Sequence, residues 1–208
     1  MDAELASDVE PADGRAARSH RTRRAIVDAM RALHAEGNLR PTAPRVAERA
    51  GVSLRTVWQQ FADMETLLVE ATRRDHEILR SLVRRIDPDQ PLPDRIAQFV
   101  SQRARVLEQM TPSWQAARLH GRSEELHRNT GRVIAAARVE LEAVFAAELA
   151  QLSGLRRKHL ADALHATSIW SFWESLRTEL ALTPEQADGL VAATFTALLT
   201  EAGFRAAI

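Results

Sequence analysis

Cysteine is absent from these 208 residues, which excludes a disulfide framework and any thiolate metal site. Long apolar runs are absent as well. Nothing approaches the roughly 20 residues that span a bilayer, so no membrane segment is expected. No stretch alternates apolar and polar side chains as a half-buried strand would, which points to an all-α chain. Net charge is missing, since 28 basic residues balance 28 acidic ones, and lysine is nearly so, with Lys158 the single example. There is no GxSxG, no GxxxxGKS/T, no GxGxxG and no HExxH, the patterns that would place a nucleophile, a nucleotide or a zinc ion. The seven histidines include no i, i+4 pair. His120 and His127 lie seven apart, sharing a face only if Gly121 does not break the helix. Glu124-Glu125 reads as acid placed near a helix start. Neither catalysis nor a bound metal or cofactor is therefore expected.

What is present has the balance of a globular protein, with 45% hydrophobic and 27% charged residues. The stretch MDAELASDVEPADG is acidic and lacks an apolar centre, so it does not read as a signal peptide, and the cytoplasm is the expected location. Residues 1–17, interrupted by Pro11 and Gly14, read as a disordered arm. The neutral total hides a segregation. Between Arg15 and Ala62 ten arginines face three acids, a local surplus of seven that the rest of the chain must offset. Charge sorted this way suits a surface made for phosphate.

From Ser19 onward, periodicity and caps predict about nine helices. They cover 19–35, a short stretch from Thr42 to Ala50, 54–60, 64–86, 93–110, 112–120, 123–151, 155–181 and 184–204. Thr42, Ser53 and Asp63 stand at N-cap positions, and Pro44 sits in a first turn. The strongest local pattern is PTAPRVAERAGVSLRTVWQQFADMETLL, residues 41–68. Two short helices crossing over a tight turn need a residue tolerant of positive φ, supplied by Gly51, and small residues at the approach, supplied by Ala47 and Ala50. Val46, Val52, Val57 and Phe61 can then pack against Ile26, Met30 and Leu33.

The helix 54–60 is read by elimination. Val57 and Phe61 face inward, leaving Leu54, Arg55, Thr56, Trp58, Gln59 and Gln60. Arginine can pair with guanine, glutamine with adenine, and threonine can touch a thymine methyl. The amino end, with Arg55 and Thr56, is the part expected in a major groove. Ser53 and the backbone there favour phosphate, and Arg45 adds charge nearby. Trp58 remains open between the outer face and the core.

The segment resembles the TetR (tetracycline-repressor-like) family of bacterial transcription regulators. The resemblance rests on RRAIVDAMRALHAEG (23–37), PRVAERAGVSLRTVWQQF (44–61) and METLL (64–68), and it covers about residues 20–70. It implies a helix-turn-helix DNA-binding domain over 18–74, with 54–60 as recognition helix, and a helical regulatory and dimerisation domain over 75–208. It further implies a homodimer on a palindromic operator in double-stranded DNA and a small-molecule effector, with repression as the default. Four positions depart from the family pattern. Trp58 stands where Tyr is common, Gln60 where His is, and Met64 where Lys is; these usually hold phosphates. Arg55 replaces a small residue.

The C-terminal two-thirds resembles the family only in length and helicity. In such a fold the last two long helices pair with their twofold mates. The stripe Leu190, Thr194, Ala197, Leu198 and Glu201 suits close helix packing. Trp114, Trp170 and Trp173, with Arg118, His120 and His127, are candidates to line a cavity for an apolar or aromatic ligand. The same tryptophans could equally be core or dimer interface. The competing functions are a DNA-binding protein without a small-molecule ligand and a helical enzyme or carrier.

Overall fold

A computed structural model describes residues 11–120 and 123–204. These residues form ten helices and no strand: α1 (Pro11–Ala35), α2 (Ala43–Ala50), α3 (Leu54–Gln60), α4 (Met64–Leu82), α5 (Leu92–Leu119), α6 (Glu124–Val144), α7 (Ala146–Ala150), α8 (Gly154–Ala166), α9 (Trp170–Thr178) and α10 (Pro184–Glu201). Among the described residues no helix is long and apolar enough to cross a membrane.

Helices α1 to α4 enclose the first core. Ile26, Met30, Leu33, Val46, Val57, Phe61, Leu67 and Leu68 are buried together, with Val52 partly buried beside them. Ala116 of α5 and Leu126 of α6 join this cluster, so the two halves share apolar contact. The turn between α2 and α3 is a Schellman close. Gly51 adopts φ 67°, its N–H bonds the Glu48 carbonyl at 3.2 Å, and the Val52 N–H bonds that of Ala47 at 3.0 Å. Ser53 caps α3 by accepting from the Thr56 N–H at 3.1 Å. Asp63 caps α4 through the Thr66 N–H at 2.7 Å, which holds its carboxyl below the usual range. Thr42 occupies the N-cap of α2, but its side chain makes no cap bond.

Helices α5 to α10 surround the second core, in which Phe99, Phe145 and Phe195 pack with centroids 5.6–5.8 Å apart. From α10, Ala187, Val191, Phe195 and Leu199 turn inward.

Several boundaries differ from expectation. The arm expected over 1–17 lies outside the described residues as far as residue 10. From Pro11 the chain is helical, as alanines and arginines with strong helix propensity allow. Helix α4 stops at Leu82 rather than 86, because the buried Gln102 carboxamide takes both the Arg84 N–H (2.7 Å) and its carbonyl (3.1 Å). The expected break at Pro112 is absent, and α5 runs through the proline, which has no N–H to offer the Glu108 carbonyl. Conversely, two helices expected to be continuous are split. The 123–151 stretch bends at Phe145, whose ring enters the core. The 155–181 stretch breaks after Ala166, where the Thr167 hydroxyl bonds Ala163 and Leu164 carbonyls and the Ser168 hydroxyl bonds that of His165. The last helix ends at Glu201 instead of 204. Gly121 lies outside the described residues.

Candidate nucleic-acid interface and regulatory cavities

Helix α3 buries Val57 and leaves Leu54, Arg55, Trp58 and Gln59 on one outer face. Trp58 is 43% exposed, which removes it from the core and places its indole beside Arg55. The ion pairs around this helix include Arg24–Asp28, Arg31–Asp28, Arg31–Asp75, Arg23–Glu70, Arg45–Glu48 and Arg49–Glu36, and among the described residues Arg55 forms none. Arg45 is exposed, 2.8 Å from Glu48 on the same turn of α2. The Ser53 and Thr56 hydroxyls lie 2.8 Å apart, and Ser53 is used as the helix cap.

Gln60 is positioned differently from its neighbours. Its carboxamide donates to Ser19 Oγ of α1 at 3.2 Å, and its carbonyl accepts from the Arg23 guanidinium. Arg23 also stacks 4.1 Å over the Phe61 ring and lies 3.7 Å from Glu70 of α4. The carboxy end of α3 is thereby clamped to α1 and α4.

The two halves are joined by a buried carboxylate. Asp75 of α4 accepts from Arg31 Nε of α1 at 2.5 Å and from the Ser113 hydroxyl of α5. His34 packs close by, 1% exposed, and among the described residues neither of its ring nitrogens has a hydrogen-bond partner.

Two cavities among the described residues involve the C-terminal helices. One, of about 460 Å³, lies between α5, α6 and the start of α9. Its walls include Trp114, Arg118, His127 and Trp170, four of the six residues expected to line a pocket. Trp114 and Trp170 meet edge to face at 5.3 Å. Arg118 sits 5.4 Å over the Trp170 ring and pairs with Glu174. The Trp170 indole donates to Thr111 Oγ1 at 3.1 Å, and His127 Nδ1 donates to the Ser123 carbonyl at 2.8 Å. The Trp114 N–H has no partner among the described residues.

Two expected residues are elsewhere. Trp173 is core, and its indole donates to Glu108 Oε1 at 2.8 Å. Trp170 and Trp173 both belong to α9, but only Trp170 reaches the cavity wall. His120 caps the end of α5, outside the cavity wall. A second cavity, between α4, α5 and α6, was not expected from the sequence. Its signal is a polar stripe on α4, Arg73, His76, Glu77 and Arg80, at helical spacing.

No protein-family model matches the chain, and no curated protein matches it in sequence. Solved structures do resemble it. A TetR-family transcriptional regulator from Streptomyces coelicolor superposes with a TM-score of 0.71 at 15% identity, over 88% of this chain and 82% of that one. A transcriptional regulator from Rhodococcus sp. Rha1 gives 0.59 at 18% identity, over 88% and 96%. A proposed TetR-family regulator from Mesorhizobium loti gives 0.58 at 19% identity, over 88% and 98%. The likeness is one of fold: the chain folds as TetR-family regulators do.

Proposed function

We propose that the chain is a dimeric DNA-binding transcription regulator, a repressor released from a palindromic operator by an apolar or aromatic small molecule. The observation that carries this reading is the outer face of α3. Leu54, Arg55, Trp58 and Gln59 stand clear of the core packed among α1 to α4, in a region with an arginine surplus. Arg55 and Gln59 can read base edges, Leu54 can touch a thymine methyl, and the Trp58 N–H can donate to phosphate. Arg45 is a phosphate contact once it releases Glu48. Ser53 and Thr56 shape the entry turn, and Gln60 acts through its clamp on α1. The effector's place is the cavity walled by Trp114 and Trp170, two rings that suit an aromatic body.

Binding to the DNA upstream of its own gene tests this reading. Affinity should fall on the order of a thousandfold between low and moderate salt. Arg55→Ala should cost roughly 1–3 kcal/mol and relax specificity at one base pair. An aromatic effector should quench tryptophan fluorescence and weaken the complex. Absence of salt-dependent DNA binding sinks the reading.

A further inference from the structure

The cavity between α4, α5 and α6 differs in chemistry from the tryptophan-walled one. Its volume is about 450 Å³, within the range of small-molecule sites. Leu79, Val83, Val106, Met110 and Val133 give it an apolar floor. Four arginines border it, Arg73, Arg80, Arg103 and Arg132, against two acids, Glu77 and Glu140.

Both acids are already engaged. Glu140 accepts from Arg103 Nη2 at 2.6 Å and from Gln102 Nε2 at 2.9 Å. Glu77 accepts from Arg73 at 2.8 Å and from Arg74 at 3.1 Å. Arg80 has no carboxylate within ion-pair distance among the described residues. Arg132 bonds the neutral Asn129 Oδ1 at 3.3 Å. Arg80 and Arg132 are exposed yet line the cavity, so they stand at its mouth. His76 faces the same space, and burial depresses its pKa, so it offers a neutral donor or acceptor rather than another charge.

An apolar floor beneath two uncompensated guanidinium groups selects for one ligand architecture. The apolar body gains by leaving water. An anionic head at the mouth gains charge-assisted hydrogen bonds from guanidinium groups without being fully desolvated. A cationic head is repelled, and a neutral one leaves the arginines unanswered. We infer that this cavity binds an apolar molecule carrying one carboxylate, its body against Leu79, Met110 and Val133 and its acid at Arg80 and Arg132. The site is independent of the DNA-binding reading, and its test measures binding directly.

Titration calorimetry of the full chain with decanoate, decanol and decyltrimethylammonium provides that test. Decanoate should bind with a Kd below about 100 µM, and the other two at least about tenfold more weakly, about 1.4 kcal/mol. The double variant Arg80→Ala/Arg132→Ala should lose about tenfold in decanoate affinity. Arg118→Ala, in the other cavity, should leave it unchanged. If the double variant does not fold, raised ionic strength replaces it, weakening decanoate but not decanol. The proposal is overturned if decanol matches decanoate, or if neither the double variant nor salt matters. It is equally overturned if Arg118→Ala removes binding instead, or if decanoate fails to bind by about 1 mM.

Discussion

Burial at His34 depresses its pKa from 6.5 to about 4, with Asp75 opposing the shift and His120 adding to it. An unfolded chain takes up a proton as pH falls through 6.5, whereas the folded one waits until about 4. The unfolded state therefore binds more protons in that window, and stability declines as pH falls through it. His76 and His165, also depressed by burial, act in the same direction. His34→Leu should flatten the pH dependence, the difference from the parent approaching about 3 kcal/mol at the acid end. Urea unfolding followed by circular dichroism across the window checks this, and parallel pH profiles would exclude it. None of this was legible in the sequence, where His34 is an unremarkable position on an amphipathic helix. Its burial follows from tertiary packing, in which α2, α4 and α5 contact α1.

At the scale of helices, one buried ion pair holds α5 to α7. Arg95 bonds Glu148 at 2.5 and 2.9 Å, the Val144 carbonyl at 2.8 Å and the Gln90 carbonyl at 2.9 Å. Burial raises the Glu148 pKa, but the Arg95 bonds outweigh it and leave the carboxyl below its usual range. Glu148→Ala strands a buried guanidinium and should cost about 3–5 kcal/mol. A thermal-melt or denaturant series measures this, and a loss under about 1 kcal/mol would mean water compensates the charge. The short helices of the N-terminal half were readable because their caps and turn are local, Gly51, Ser53 and Asp63 each acting within a few residues. The longer C-terminal helices depart from the sequence expectation where tertiary packing decides continuity. Helix α5 runs through Pro112, while the stretch after Ala166 breaks where the Thr167 and Ser168 hydroxyls bond carbonyls of the preceding turn.

Across the whole molecule, α10 presents two unlike faces. Ala187, Val191, Phe195 and Leu199 are buried, while Leu190, Ala193 and Ala197 remain exposed. An apolar outer face built partly of alanine suits close approach of a second copy, as the proposed dimer requires. Ala197→Arg should shift the chain toward monomer in sedimentation and weaken operator binding, since the two half-sites would no longer be held together. A variant that stays dimeric would move the interface away from this face.

The sequence by itself determined the helical class, the helix-turn-helix with its core, and the arginine surplus around it. These follow from periodicity, caps and charge, which act over a turn or two of chain. It also marked α3 as the helix with polar residues to spare, though not which of them stay exposed. Tertiary structure decided that Trp58 faces outward and that Gln60 is clamped to α1. It parted Trp173 and His120 from the cavity of Trp114 and Trp170, and it opened a second, arginine-bordered cavity. Those outcomes depend on how distant helices pack, and packing is set by contacts between residues far apart in the chain.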